Sequence, residues 1–126
     1  MREGSTKQEV GFKIEKLRIW QDSMDFAEMV FKASKDFPDN ENFNLTSQIR
    51  RAVNSVGLNI SEGSILQSNA EFRRFLGYSI RSLAEVVTCL HKAKRRDYMS
   101  GEEFNDFYLR AYNLMNMIIG FRNKLI

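Results

Sequence analysis

Apolar residues recur in four separate segments of this chain at the spacing of one helical face. In the first segment they stand three or four residues apart, which matches the 3.6-residue period of an α-helix with one buried side. The positions are Leu17, Trp20, Met24, Ala27, Val30 and Phe31. No segment alternates apolar and polar residues over the length of a strand. The pattern predicts an all-α protein whose first helix covers about residues 17–36.

The second helix is delimited by its sequence neighbours. Pro38, the only proline, biases its predecessor away from helical geometry, so a connection is expected up to Asn44. The apolar stripe then resumes at Leu45, Ile49, Ala52, Val53, Val56 and Ile60. It continues up to Glu62, and Gly63 suits the left-handed residue that commonly closes a helix. We therefore expect the second helix to end there.

The last two helices begin with the clearest local signals. Ser68 with Glu71, and Ser100 with Glu103, fit the S-x-x-E capping box, in which hydroxyl and carboxylate each satisfy a backbone N–H. Stripes of helical period follow, at Phe72, Phe75, Leu76, Ser79, Leu83, Val86, Val87 and Leu90, and at Phe104, Phe107, Tyr108, Ala111, Leu114, Met115, Ile118, Phe121 and Leu125. Short connections force antiparallel neighbours, so the sequence predicts an antiparallel four-helix bundle.

Length and composition fit one such domain. The chain has 126 residues, of which 43% are hydrophobic, so it can hold one core and is not disordered as a whole. Residues 1–15 are polar and carry no stripe, so we expect a flexible leader at 1–15 and the bundle domain at 16–126. The lack of a long apolar run argues against a membrane span. A single cysteine and no targeting segment favour the cytoplasm.

Candidate catalytic residues are few. The only histidine, His91, and the only cysteine, Cys89, do not form a ligand set, and no Glu-x-x-His pair of a di-iron bundle occurs. Cys89 falls on the apolar side of the third helix, where a buried, inert thiol is the ordinary interpretation. We therefore expect no metal, no cofactor and no enzymatic activity.

A polar seam is the first candidate site. Its members share helical faces beside the apolar stripes, since they stand seven, four or three residues apart. They are Gln48, Ser55, Asn59 and Glu62 on the second helix, with Ser82 and Glu85 on the third. Buried polar groups need partners, so a network that fixes helix register or subunit pairing is one interpretation. A small pocket that binds rather than catalyses is the other.

Basic residues are the second candidate site. They are Arg50 and Arg51 on the second helix, Arg73, Arg74 and Arg81 on the third, and Lys92, Lys94, Arg95 and Arg96 at its end. The net charge of +3 decides little, and a last helical turn favours cations in any case. Four cations within residues 92–96 nevertheless exceed what a helix end requires, and Tyr98 offers a ring for base stacking. Nucleic-acid phosphates are one hypothesis, and an ordinary solvated surface is the other.

The stretch of residues 48–63 resembles a known family. It reads Gln48-Ile49-Arg50-Arg51-Ala52 at its start and Asn59-Ile60-Ser61-Glu62-Gly63 at its end, and Ser82-Leu83-Ala84-Glu85 follows. These residues, with Trp20 and Phe37-Pro38, resemble a bacterial four-helix-bundle family first noticed in intervening sequences of large-subunit (23S) ribosomal RNA genes. Arg81 departs from the small residue usual in that family. The resemblance implies an up-down-up-down bundle and, in characterised relatives, a homopentameric ring. An accessory protein of diversity-generating retroelements is similar, with a basic surface that engages nucleic acid and a reverse transcriptase.

The leading functional hypothesis is a non-catalytic homo-oligomer that binds nucleic acid, RNA first. The phosphate contacts are assigned to Arg50, Arg51, Lys92, Lys94, Arg95 and Arg96. A protein-interaction scaffold is the alternative, and a small-molecule binder or enzyme that uses Glu62 and Glu85 is the third. Oligomerisation is also expected because the start of the domain carries more apolar groups than one helical face buries. These groups are Phe12, Ile19, Trp20, Phe26 and Met29.

Overall fold

Four α-helices make up most of the chain. The computed structural model describes residues 10–65 and 68–126. The helices are α1 (Arg18–Ser34), α2 (Leu45–Ser64), α3 (Asn69–Arg95) and α4 (Gly101–Lys124). Short 3-10 helices at Lys13–Lys16 and Asp39–Glu41 precede α1 and α2. The described residues contain no strand, so the all-α prediction is confirmed.

Helices α1 and α2 run in opposite directions, and so do α2 and α3. Arg50, near the start of α2, bonds to Ser34 at the end of α1, whereas Gly57 lies farther along α2 against Ser23 of α1. The α3 helix packs on α2 in the same manner, since Gly63 near the end of α2 lies against Phe72 near the start of α3. The Ser79 hydroxyl donates to the Val56 carbonyl oxygen at 2.8 Å. Both pairs of helices are therefore antiparallel.

The fourth helix closes the bundle. The His91 ring, near the end of α3, lies 4.9 Å from the Phe104 ring at the start of α4, measured between centroids. At the opposite end, Arg73 donates to the Arg122 carbonyl oxygen at 2.6 Å. The Phe107 ring contacts Phe26 of α1 at 6.3 Å. These contacts fit an up-down-up-down bundle.

Helix α1 buries the predicted stripe only in part. Val30 is buried, and Leu17, Trp20 and Ala27 pack partly buried against the core. Ile19 and Phe26 are in the core, whereas Met24 and Phe31 are exposed. Ser23 is also buried, because its hydroxyl donates to the Ile19 carbonyl oxygen at 2.7 Å and so satisfies itself within the helix. A count of apolar positions misses Ser23, because serine is polar although this one is buried. The expectation that Ile19 and Phe26 add to an outer apolar surface is therefore wrong.

Both serine caps are confirmed, but the glycine cap is not. Ser68 accepts the Glu71 N–H at 3.1 Å, and Ser100 accepts the Glu103 N–H at 3.0 Å. Gly63 instead lies within α2, which continues to Ser64. A Cβ at Gly63 would stand 2.8 Å from the Phe72 ring and 2.9 Å from the Phe75 Cβ. Glycine is needed here for close helix packing.

The beginning of the chain meets the bundle before α1. Residues 1–9 of the predicted leader lie outside the described residues. The 3-10 helix at Lys13–Lys16 contacts both α1 and α2. Over the described ranges, no helix combines the length and apolar character that crossing a bilayer requires.

Candidate nucleic-acid interface

Basic residues that are distant in sequence meet at one end of the bundle. Arg50 and Arg51 are in the second turn of α2, and residues 92–96 cover the end of α3. Antiparallel packing places the start of α2 beside the end of α3. The cations on α2 and those at the end of α3 therefore lie toward the same end of the bundle.

The Arg50 side chain contacts other residues of the bundle. Its Nε donates to the Ser34 hydroxyl at 2.7 Å. Its guanidinium carbon lies 4.5 Å from the Phe31 ring centroid, a cation–π distance. Arg50 is half-buried. It links α2 to α1 and presents less charge to solvent than the sequence indicates.

Arg96 is held by Glu41, which the sequence analysis did not single out. Arg96 Nη1 donates to Glu41 Oε2 at 2.9 Å. The same oxygen accepts the Tyr98 hydroxyl at 2.7 Å. Glu41 Oε1 accepts Asn44 Nδ2 at 2.9 Å and the Leu45 N–H at 3.3 Å. We call these five residues the Glu41 cluster.

Electrostatics within the Glu41 cluster keep its carboxylate ionised. The hydrogen bond from Tyr98 is the largest influence and lowers the pKa of Glu41, while burial opposes this and the Leu45 N–H, Asn44 and Arg96 add to it. The same bond raises the pKa of Tyr98, since a phenolate beside a carboxylate is disfavoured. This cluster is hard to predict from the sequence, because Arg96 and Tyr98 are 55 and 57 residues away from Glu41.

Tyr98 is therefore not placed as the sequence analysis expected. Its hydroxyl donates to Glu41, and its ring lies 5.5 Å from the Phe37 ring between centroids. The residue is half-buried between the connections of the bundle. Its hydroxyl and one side of its ring thus contact the fold, which argues against the expectation that this ring stacks on a base.

Four cations stay directed to the surface at this end, and we call them the basic strip. They are Arg51, Lys92, Lys94 and Arg95. Lys92 is half-buried and the others are exposed. None of them takes part in an ion pair with another described residue. Lys94 lies 4.8 Å above the Phe104 ring.

Acidic residues also lie toward this end of the bundle. Glu102 and Glu103 occupy the first turn of α4. Asp39 begins the 3-10 helix between α1 and α2. This end of the bundle therefore carries charges of both signs.

The polar seam does not form a network between helices. Ser55 donates to the Arg51 carbonyl oxygen, and Asn59 Nδ2 donates to the Ser55 carbonyl oxygen, both at 2.9 Å and both within α2. Gln48 and Ser82 are half-buried, and Glu62 and Glu85 are exposed. The side-chain bond from α3 to α2 comes instead from Ser79. The seam side chains therefore keep hydrogen-bond donors and acceptors that are not used between α2 and α3.

Catalytic chemistry finds little support among the described residues. No group of three or more His, Cys, Asp or Glu side chains there could hold a metal ion. Burial raises the pKa of the Cys89 thiol, and Lys92 and Arg51 offset only part of the rise. A thiol of this kind is a poor nucleophile at neutral pH.

Most of the chain matches one protein family. A sequence profile described as 23S rRNA-intervening sequence protein matches residues 15–120. The chain belongs to this family. No protein of curated function matches it.

One solved structure has a fold similar to that of this chain. The structure is from Bacteroides thetaiotaomicron VPI-5482 and is described as a protein with unknown function from the S23 ribosomal protein family. It superimposes with a TM-score of 0.77 at 23% identity, over 82% of this chain and 97% of the other. At that identity the likeness shows the fold alone.

The outer face of α4 carries exposed apolar side chains. Leu109 and Tyr112 are 58% and 57% exposed. A cleft of about 230 Å³ runs beside them, lined by Ala84, Val87, Tyr108, Tyr112 and Met115. A second cleft of about 410 Å³ lies between α1 and α2 and includes Trp20, Met24 and Leu58. Two separate apolar surfaces thus have no partner within the described chain.

Proposed function

We propose that this intervening-sequence protein is a non-catalytic module that binds nucleic acid through the basic strip. The supporting observation is that antiparallel packing places exposed Arg51, near the start of α2, toward the same end of the bundle as the cations at the end of α3. Phosphate contacts require only such exposed cations, with no nucleophile or metal. The family description names 23S rRNA, which makes RNA the first ligand to test.

The contacts within the bundle divide the predicted cations into two roles. Arg50 and Arg96 hold α2 against its neighbours and position the surface. Arg51, Lys92, Lys94 and Arg95 are the side chains that reach phosphate. Charge reversal at Arg96 would put a second carboxylate beside Glu41 and disturb the fold, so it is a poor test of binding.

Binding of this type has a characteristic salt dependence. Each phosphate contact releases condensed counterions, so the logarithm of the binding constant falls by about 0.7 per contact for each tenfold rise in salt with a single strand. Three or four contacts give a slope of about −2 to −3. Sequence preference should be weak, because phosphates carry no base information.

The experiment is fluorescence anisotropy with labelled RNA and nuclease-treated protein. We expect Arg51→Glu/Lys92→Glu/Arg95→Glu to lower affinity by at least about tenfold and to flatten the salt slope. The matched control is Lys16→Glu/Arg110→Glu/Lys124→Glu, which makes the same change in net charge at exposed positions elsewhere. Equal losses in both variants would show that only net charge matters. Unchanged affinity in the first variant would refute the assigned site.

We also propose that the protein acts as a homo-oligomer. The apolar face of α4 and the cleft between α1 and α2 are different surfaces, and a contact between one and the other repeats from copy to copy. Such a contact can close into a ring, for which the family resemblance suggests five subunits. Several basic strips on one particle would strengthen RNA binding through multivalency.

The apolar face of α4 also supports the alternative, a protein-interaction scaffold. In that case the occupant of Leu109 and Tyr112 is a different protein, and the basic strip is incidental. A partner that co-purifies with the chain and stays bound after nuclease treatment would favour this function. Release of all partners by nuclease would favour RNA.

A further inference from the structure

Phe43 presents the most exposed aromatic ring in the described part of the chain. Its side chain is 99% exposed, whereas Phe12, the next, is 72% exposed. The residue lies between the 3-10 helix at Asp39–Glu41 and the start of α2. A ring so completely in solvent adds nothing to the core. It is available for a ligand.

The backbone around Phe43 is anchored on both sides. Before it, the Asn42 N–H donates to the Asp39 carbonyl oxygen at 3.0 Å. After it, the Asn44 N–H donates to the Glu41 carbonyl oxygen at 2.9 Å, and Asn44 Nδ2 bonds to the Glu41 carboxylate. The ring is thus carried by a short segment whose ends are fixed.

The Glu41 cluster places this segment beside the basic strip. Glu41 stands two residues before Phe43 and bonds to Arg96 at the end of α3. Lys92 and Arg95 belong to the same last turns of α3. An exposed aromatic ring and a row of cations therefore occupy the same end of the bundle.

We infer that Phe43 stacks on an unpaired base, so that the RNA bound by the basic strip is single-stranded where it passes this loop. The inference rests on the proposed function and deepens it by naming the class of nucleic acid. Proteins that bind single strands combine cations that follow the backbone with aromatic rings that stack on bases. A duplex keeps its bases stacked inside, so it can reach the cations but not the ring.

The other two aromatic rings of the described residues that are more than half exposed do not share this setting. Phe12 lines a cleft with Ser61, Glu62 and Ile65, near the opposite end of the bundle. Tyr112 lies within the apolar face of α4. Single exposed apolar residues are common on protein surfaces. Phe43 differs because full exposure, an anchored backbone and neighbouring cations coincide.

The test compares two RNA probes, a fluorescein-labelled oligouridine of about 15 nucleotides and a blunt duplex of similar length. We expect the wild-type protein to bind oligouridine more tightly than the duplex. Phe43→Ala should weaken oligouridine binding about tenfold and leave duplex binding unchanged. Phe12→Ala is the matched control and should change neither. Circular dichroism should show unaltered folding for both variants, because both rings are exposed.

A second readout reports stacking directly. Phe43→Trp should retain oligouridine binding, and the introduced indole should be quenched when oligouridine is added, measured against the wild-type signal from Trp20. Failure of the wild-type protein to bind either probe would overturn the proposed function and this inference with it. Salt-dependent binding that Phe43→Ala leaves intact, with no quenching in Phe43→Trp, would overturn this inference alone. A ring that serves a protein partner would give that second result.

Discussion

Arg96 donates to the carboxylate of Glu41 at 2.9 Å, and this bond joins two connections of the bundle that are far apart in sequence. Glu41 precedes α2, and Arg96 follows α3. The carboxylate also bonds to the Leu45 N–H, one of the N–H groups at the start of α2 that has no partner within the helix. A single side chain thus caps α2 and fixes its position relative to α3.

Replacement of Glu41 by Gln should destabilise the protein. The amide offers one acceptor oxygen where the carboxylate offers two, so at least one donor among Arg96, Tyr98 and Leu45 loses its partner. We expect the thermal midpoint to fall by about 5 °C, measured by circular dichroism. Glu28→Gln, at an exposed position in α1, is the control and should leave the midpoint unchanged. Equal midpoints for all three proteins would show that the Glu41 cluster contributes no stability.

The same cluster should add a specific component to acid denaturation. Because folding lowers the pKa of Glu41 from its ordinary value of 4.5, its contribution is complete above that pH. The contribution is lost as the pH falls from 4.5 through the lower folded-state pKa. Urea midpoints measured between about pH 6 and about pH 3 should therefore fall less steeply for Glu41→Gln than for the wild-type protein or Glu28→Gln. Parallel curves for all three would contradict the pKa shift.

Local signals were sufficient to predict the starts of α3 and α4. Ser68 and Ser100 each bond to a backbone N–H three residues ahead, so the motif and its partner lie within the same few residues. The Glu41 cluster gave no comparable signal. Its long-range partners, Arg96 and Tyr98, become neighbours only when the bundle closes.

The candidate site was predictable only in part, for the same reason. The density of charge in residues 92–96 was visible in the sequence. The contacts of Arg50 with Phe31 and Ser34, however, depend on the pairing of α1 with α2. The face of α1 was predicted only in part, because an apolar count cannot anticipate a buried serine that bonds to its own helix.

Gly63→Ala and Gly120→Ala should have opposite effects on stability. Alanine normally stabilises a helix interior by about 1 kcal/mol relative to glycine. At Gly120 no atom lies within 4 Å of the added Cβ, so we expect a gain of roughly 0.5–1 kcal/mol. At Gly63 the Cβ would approach Phe72 and Phe75 within 3 Å, so we expect a net loss of about 1–3 kcal/mol. Urea denaturation measures both, and a gain at Gly63 would show that the phenylalanines move aside at little cost.

Charge placed on the outer face of α4 should dissociate the proposed homo-oligomer. Leu109→Glu/Tyr112→Glu introduces two carboxylates on a surface that would be dehydrated against another copy, which is strongly unfavourable. We expect the wild-type protein to sediment as a multiple of 14.7 kDa and this variant to sediment as the monomer. Arg110→Glu, exposed on the same helix but outside the apolar strip, should keep the wild-type mass. A wild-type protein that sediments at 14.7 kDa at micromolar concentration would refute self-assembly, and the apolar face would then be assigned to a different partner. If the oligomer forms, its loss in the double variant should also weaken RNA binding although every cation of the basic strip is retained, because multivalency is lost with it.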